Sequence, residues 1–374
     1  MMSDPIIEKR FRLLDSNMES ENLDAVVVYG KGMVTQYGYL YYFATFYPAL
    51  RPGIVVKLKG ENPVVFYTTR ADYYLAKEKG TIADVRYAGI GDVVDSQNGI
   101  LAQIASLINE SGAQKIGICG LNSLMTYEEA NYFLKNLNGE VVDSTYLVQK
   151  MKALKSEEEK DSVRETFHIA ERSFEAFEKE IAAGRVKSEI GAEVDKIARS
   201  YGAISTLVFL EDGPYFLRKP PTTPLKDSGL ITAYSEIVGP NGYWVEKGGL
   251  FAIGELSKEE EEIGQACVNA MYAIKEIIKP GIKVSDLADT IKSNTNHLNV
   301  HAGIWPGHGV GIDHDIPVIR EDSDSILEPG MVVSVHPNIS NNKETIGASI
   351  ADVFLIHDNY AESLSETSYD IKYL

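Results

Sequence analysis

Residues 307–317 read Gly-His-Gly-Val-Gly-Ile-Asp-His-Asp-Ile-Pro, and this stretch decides how the rest of the chain is interpreted. Five of the seven histidines fall between residues 297 and 336, and histidine is both a metal ligand and the side chain that titrates near neutral pH. Glycines on either side of His308 allow a ligand or another strand to approach the backbone closely. We therefore predict a functional site around His308, with a hydrogen-bonded histidine in a glycine-rich turn as the alternative.

The second half of the chain, from residue 151 onward, is predicted to have an α+β fold. Ser156-Glu-Glu-Glu159 is a capping box, and the apolar residues that follow it recur with the period of one helix face. Further helices are expected from Ser188, Ser257 and Ser285. Strands are expected at the apolar runs 230–238, 242–251, 331–335 and 350–356. The pattern indicates paired helices over a long antiparallel sheet.

The first 150 residues alternate between helical and strand patterns, which is typical of an α/β layered domain. No linker rich in proline, glycine or serine separates the halves. We therefore predict two domains, residues 1–150 and 151–374.

Composition excludes several classes of function. The formal charge of −18, without a concentrated basic patch, argues against nucleic-acid binding. No apolar stretch approaches the ~20 residues of a membrane span, and the first residues lack the apolar block of a signal peptide. Two cysteines do not form a disulfide framework. A soluble, cytoplasmic protein without a membrane or nucleic-acid partner is expected.

Five motifs, in this order, resemble the creatinase/prolidase/methionine aminopeptidase superfamily, whose catalytic half is the pita-bread fold. The matching segments are Met151-Lys-Ala-Leu-Lys-Ser156, Asn241-Gly-Tyr243, Ile278-Lys-Pro-Gly281, Gly307-His-Gly-Val-Gly311 and Leu327-Glu-Pro-Gly-Met-Val332. The last segment, with Arg320-Glu-Asp322 before it, looks especially like creatinase. The resemblance implies an α+β pita-bread catalytic domain preceded by an α/β creatinase-type N-terminal domain.

The resemblance also implies positions for the five ligands with which the family's peptidases hold two metal ions. The family has Asp, Asp, His, Glu and Glu where this chain has Ser235, Glu246, His308, His336 and Ala351. Ser235 and Ala351 are therefore expected to be degraded metal positions. Two ions need bridging carboxylates, so we expect no metal. The alternative is a single zinc or iron ion on Glu246, His308 and His336.

Two acidic residues adjoin the degraded positions, Glu236 beside Ser235 and Asp352 beside Ala351. Neighbouring side chains on a strand face opposite sides of the sheet. Both acids are therefore expected to point away from the site.

Creatinase works without metal and uses a histidine in a loop that matches residues 213–221, where this chain has none. The remaining candidates for acid–base catalysis are His308, His336, His314 and Glu246. Arg218 and Lys219 lie in the loop itself and are predicted to bind a substrate carboxylate, with solvated surface as the alternative.

The resemblance implies a homodimer in which one subunit's N-terminal domain covers the other's active site. The segment Tyr37–Tyr47 holds seven aromatic residues and is followed by Arg51. An aromatic surface beside an arginine fits a pocket rim or a dimer contact, so Arg51 is a further predicted substrate-binding residue. A buried strand and helix start is the alternative.

Three functions stay open at this point. The first is a non-peptidase hydrolase or lyase of a small C–N compound, metal-free or with one metal ion. The second is an Xaa-Pro dipeptidase-like aminopeptidase acting on short peptides. The third is a pseudoenzyme that binds a peptide or protein without catalysis, so whether the chain is an enzyme is left open by the sequence.

Overall fold

The computed structural model describes residues 5–49, 51–89, 97–215 and 218–374, which form two compact units. The first unit spans residues 1–152 and the second spans residues 153–374. Two residues of the loop 213–221, numbers 216 and 217, lie outside the described residues.

The first unit is a six-stranded mixed sheet with helices. Its strands lie in the order β4-β3-β2-β1-β5-β6; β1 and β2 pair antiparallel, as do β2 and β3, and the other neighbours are parallel. The elements are α1 (Pro5–Ser20), β1 (Ala25–Gly30), α2 (Gly38–Ala44), β2 (Gly53–Leu58), β3 (Val64–Tyr67), α3 (Arg70–Lys79), β4 (Asp84–Tyr87), α4 (Gln97–Glu110), β5 (Lys115–Cys119), α5 (Tyr127–Asn136), β6 (Glu140–Asp143) and α6 (Thr145–Ala153).

The aromatic segment Tyr37–Tyr47 lies largely inside the first unit. Its middle forms helix α2, and Tyr37 and Phe43 are fully buried. Tyr42 packs under the Arg10 guanidinium, which lies 4.2 Å from the ring centroid. The expected aromatic rim is therefore wrong for most of these rings, because the segment contributes to the core of its own unit.

The second unit begins with a long amphipathic helix and carries the α+β pattern. Ser156 accepts from the Glu159 backbone while the Glu159 side chain accepts from Ser156, the capping box that the sequence indicates. The elements are α7 (Glu157–Glu180), α8 (Lys187–Ser200), β7 (Ser205–Glu211), β8 (Gly229–Val238), β9 (Trp244–Ile253), α9 (Lys258–Ile277), α10 (Val284–Thr295), β10 (Val300–His301), β11 (Gly307–Gly311), β12 (Asp313–Val318), β13 (Val332–Val335), β14 (Asn338–Asn341), β15 (Gly347–Ser349), β16 (Asp352–Ile356), β17 (Ala361–Ser363) and β18 (Lys372–Tyr373).

The described residues of the second unit form three sheets, and two of these sheets carry the site described below. The orders are β12-β11-β13-β16-β17, β18-β9-β8-β7 and β10-β14-β15. Phe174 and Phe177 of α7 pack with Phe251 of β9 in one apolar cluster, while α9 and α10 belong to another with β13 and β16. On the opposite face of the β8–β9 hairpin, Leu230 and Leu250 join the second cluster, and the positions nearer the turn carry Glu236 and Glu246.

Among the described residues, no helix combines the length and the apolar character that crossing a membrane requires.

Candidate functional site

The β8–β9 hairpin places two glutamates directly opposite each other. Its strands pair without a bulge from Gly229↔Ile253 to Val238↔Trp244, and this register sets Glu236 against Glu246. Residues paired across an antiparallel ladder share one face of the sheet. Both carboxyls therefore lie on the same face, and both side chains are buried.

This register corrects two expectations. Ser235 pairs with Lys247, so it faces the side of the hairpin opposite to Glu246 and cannot contribute to a site built around that residue. Glu236, expected to point away, shares the face of Glu246 instead. An eleven-residue spacing joins residues on one face only if the hairpin contains a bulge. The even, unbulged register was the signal that sequence reasoning missed.

Three histidines come from the neighbouring sheet. His308 lies on β11, His314 near the start of β12, and His336 directly after β13. Gly309 allows this packing, because a Cβ there would lie 2.3 Å from the carbonyl oxygen of Ile316. The sequence predicted that a strand or a ligand would approach these glycines closely, and at Gly309 it is the backbone of the neighbouring strand β12 that does so.

Glu246 lies at the centre of the three imidazoles. Its Oε1 is 3.2 Å from His308 Nε2 and 3.7 Å from His314 Nε2, and its Oε2 is 3.6 Å from His336 Nε2. The rings of His308 and His314 have centroids 4.3 Å apart. All four residues expected to take part in acid–base catalysis are therefore brought together.

Neutral donors fix the Glu246 carboxylate further. The Tyr234 and Ser334 hydroxyls each donate to Oε2 at 2.7 Å, and the Trp244 indole donates to Oε1 at 3.3 Å. Hydrogen bonds to a carboxylate favour its ionised form and hold its orientation. None of these three donors was singled out from the sequence.

The hydrogen bond that His308 makes through Nδ1 limits what its other ring nitrogen, Nε2, can bind. Nδ1 lies 2.9 Å from the Gly309 carbonyl oxygen, which can only accept, so Nδ1 carries a proton. Nε2 then faces the Glu246 carboxylate either with a proton of its own or with a cation between the two groups. The geometry therefore suits an imidazolium–carboxylate pair or a bound ion.

The pKa values within the cluster diverge. Burial alone would raise the pKa of Glu246, but His308, His314 and His336 outweigh it and hold that pKa well below its usual range. Burial would lower the pKa of His314, but hydrogen bonds to Asp313 and Glu246 raise it to about 10. Burial lowers the pKa of His336 to about 4. Near neutral pH the site therefore holds a charged imidazole, His314, and a neutral one, His336, in the same cluster, with His308 in contact with both rings.

Glu236 has a different environment from Glu246. Burial, and then the charge of Glu246, raise the pKa of Glu236 to about 8. Two facing carboxyls cannot both ionise cheaply at close range, and the better hydrogen-bonded of the two keeps the charge.

One group of side chains is able to hold a metal ion. Glu246, His308 and His314 each offer a ligand atom, and these atoms lie within 4.8 Å of one another. Two imidazole nitrogens and one carboxylate oxygen form a donor set typical of zinc and non-haem iron. The single-ion alternative thus fits the site, with His314 in the place that the sequence had given to His336. The expectation that the chain has no metal does not fit this group.

Ala351 has no donor atom and lies among apolar contacts. It packs with Tyr234 and Phe209, and its backbone pairs with Gly248 through two 3.2 Å hydrogen bonds. A Cβ at Gly248 would lie 2.7 Å from the Tyr234 ring, so that ring fills the space beside Ala351. Asp352 points to the other side, as expected, where it accepts from the Ser363 hydroxyl.

Two of the three predicted substrate-binding residues, Arg218 and Lys219, do not join the cluster. Arg218 is exposed and forms a bidentate pair with Glu211, at 2.7 and 2.9 Å. Lys219 is exposed as well. Solvated surface, the stated alternative, describes both residues better. Arg51 belongs to the first unit, and its role as a substrate contact stays a prediction.

Sequence comparison places the chain in a family. The profile of metallopeptidase family M24 matches residues 159–358, and that of the creatinase/prolidase N-terminal domain matches residues 10–153. The chain therefore belongs to metallopeptidase family M24. The expected superfamily and the expected order of a creatinase-type N-terminal domain and a pita-bread catalytic domain are both confirmed.

Relatives resemble the chain along nearly its whole length. An Xaa-Pro dipeptidase from Pyrococcus horikoshii is 22% identical, with 98% of this chain and 99% of the relative covered. Among solved structures, an Xaa-Pro dipeptidase from Bacillus anthracis has a TM-score of 0.82 at 21% identity, covering 98% of this chain and all of the other. A prolidase from Pyrococcus horikoshii has a TM-score of 0.81 at 20% identity, covering 97% and 99%. At these identities the structural likeness establishes the fold.

Proposed function

We propose that the chain hydrolyses a C–N bond in a short peptide or a small peptide-like compound, and that an Xaa-Pro dipeptide is the first substrate to test. The observation that carries this proposal is Glu246, which lies within 3.2–3.7 Å of three imidazole nitrogens in a buried cluster. The peptide class is supported by the Xaa-Pro dipeptidases among the relatives. The relatives thus favour the second of the three functions over the non-peptidase hydrolase.

The side chains available as metal ligands favour a reaction that uses one ion rather than two. Two ions at close separation require bridging carboxylates. Ala351 offers no donor, and Ser235 faces the other side of the hairpin. The remaining donors converge on a single point, the oxygen atoms of Glu246.

A single divalent ion would be held by Glu246, His308 and His314, and it would supply Lewis acidity to the scissile carbonyl. The protein's own groups provide the proton transfers. His336, neutral near pH 7, accepts the proton of the attacking water and then passes that proton to the leaving nitrogen. Tyr234 and Ser334 keep the Glu246 carboxylate oriented while this happens.

A second candidate is ion-free hydrolysis of a small C–N compound. The observation that favours it is the His308–Glu246 contact, which is satisfied by an imidazolium without any metal. The same four residues would then catalyse the reaction, and the substrate would not need to be a peptide.

The test is a turnover assay on purified protein. Hydrolysis of a panel of Xaa-Pro and other dipeptides is measured after chelation and after addition of Zn²⁺, Fe²⁺, Mn²⁺ or Co²⁺. Ion-dependent release of proline supports the first candidate. Turnover of small amides that persists in chelator supports the second, and binding without turnover of either class points to the non-catalytic module.

Two sequence predictions accompany this proposal. A homodimer is expected and can be tested by light scattering in solution. A cytoplasmic location is expected and can be tested by fractionating cells that express the tagged chain.

A further inference from the structure

Glu236 is a buried carboxyl that the proposed mechanism does not use. It lies opposite Glu246 in the hairpin register and is only 8% exposed. No hydrogen bond or ion pair joins its carboxyl to any residue of the described ranges. Buried polar groups are normally satisfied, and an unpaired buried carboxyl is costly. Its partner is therefore to be sought in a ligand.

A comparison of the hydrogen-bond partners of Glu236 and Glu246 indicates the charge of the ligand that Glu236 would bind. The oxygens of Glu246 are already occupied by Tyr234, Ser334 and Trp244, besides the imidazoles. Glu236 is the acid in this cluster whose acceptor atoms are still available. A cationic partner would favour the ionised form of the Glu236 carboxyl and supply the charge-assisted hydrogen bonds that the side chain lacks.

Two cations have to be considered, a metal ion and a charged group of the substrate. The side chains whose donor atoms lie within 4.8 Å of one another are Glu246, His308 and His314, and Glu236 is not among them. In this arrangement Glu236 is not a member of that group, which favours the substrate as its partner. The substrate has to approach the same region, since His314, with 32% of its side chain exposed, is more open than the other histidines of the cluster.

We propose that Glu236 is a specificity-determining residue that binds a positively charged nitrogen of the substrate, an ammonium, amidinium or guanidinium group. Trp244 lies diagonally across the ladder from Glu236 on the same face of the hairpin, and its ring packs 4.9 Å from the His314 ring. The proposal rests on the function proposed above and narrows it to substrates that carry a positive charge beside the scissile bond.

The test compares two ligands that differ in one charge. Binding of glycyl-proline and of N-acetyl-glycyl-proline is measured by calorimetry on the full chain and on Glu236→Gln, with Glu255→Gln, an exposed acid, as the matched control. Product formation is followed in the same samples, so that binding and turnover are determined separately. Absence of turnover would count against the proposed function, whereas the charge preference alone decides the role of Glu236.

The wild type and Glu255→Gln should bind the free-amine dipeptide more tightly, and Glu236→Gln should lose about 10- to 100-fold of that affinity while its binding of the acetylated form is unchanged. Equal binding of both ligands by the wild type would overturn the proposal. A Zn²⁺ titration is the second readout. If Glu236→Gln retains the charge preference but loses zinc, Glu236 is a metal ligand and the proposal is wrong.

Discussion

His308 Nε2 lies 3.2 Å from Glu246 Oε1, while Nδ1 of the same ring donates to the Gly309 carbonyl at 2.9 Å. The imidazole is thus fixed at both nitrogens, and its position depends on the carboxylate it faces. Because Tyr234 and Ser334 also donate to Glu246, one side chain organises groups from two sheets.

Replacing this carboxylate should lower turnover strongly without unfolding the protein. We expect Glu246→Gln to lower kcat by about 10²- to 10⁴-fold, the usual contribution of a positioned acid–base group. Glutamine keeps the shape but cannot pair with charged imidazoles. Steady-state kinetics give the activity, and thermal unfolding monitors the fold. Glu255→Gln is the control, and a Glu246→Gln rate within tenfold of wild type would contradict the assignment.

Metal content should be at most one ion per chain. Zinc is added to chelator-treated protein, the excess is removed, and the bound metal is counted by atomic emission. We expect about one zinc, because a catalytic zinc is held by three protein ligands and Glu246, His308 and His314 provide them.

His308→Ala should reduce the bound zinc strongly, whereas His336→Ala should leave it near the wild-type value. Two ions per chain would show that the dinuclear arrangement persists despite Ala351. No bound ion would favour the ion-free candidate.

The site residues that the sequence predicted are those with a local signal, either flanking glycines or a place in an ordered set of motifs. His308 stands out because glycines surround it, and His336 and Glu246 follow from the order of the motifs. Glu236 was missed because an eleven-residue spacing was carried onto a hairpin whose register has no bulge. Ser334 could not be found, because its contact with Glu246 depends on how two separate sheets meet, and Tyr234 was missed together with the register of the β8–β9 hairpin.

The fold was more predictable than the site for a physical reason. The periodicity of α7 and its capping box at Ser156 are local features, and they appear in the structure as expected. The position of the Arg218 side chain depends on its ion pair with Glu211 on β7, and no periodic pattern in the sequence indicates this pair. Contacts between individual side chains that are distant in the sequence therefore cannot be predicted from local sequence patterns.

Stability should depend on pH through His314. The folded-state pKa, about 10, exceeds the ordinary value of 6.5, so the stabilisation is complete below about pH 6.5 and is lost as the pH rises toward 10. Urea unfolding of wild type and His314→Gln at pH 6, 8 and 10 measures this. The wild type's advantage should shrink by on the order of 1 kcal/mol, because the partly exposed side chain is screened by solvent.

The control for this experiment is His297→Gln, which removes an exposed histidine from the same unit. A wild-type advantage over His314→Gln that grows between pH 6 and pH 10 would show that the imidazole is not stabilised as a cation.

The last prediction concerns the buried ion pair behind the histidine strand. Lys155 Nζ lies 2.8 Å from Asp315 Oδ2, and both side chains are almost fully buried. Asp315 follows His314 on β12, so Lys155→Met would leave an uncompensated charge beside the site. We expect a loss of about 3–5 kcal/mol in the free energy of unfolding, measured in urea.

The double variant Lys155→Met with Asp315→Leu should recover most of that loss, because it removes both charges and fills the space with apolar atoms. Lys292→Met serves as the control, since its ion pair with Glu321 is exposed and should contribute little. A double variant no more stable than Lys155→Met would mean that the lysine acts through packing. Histidine titration followed by NMR would then show whether the loss of the ion pair changes the environment of His314.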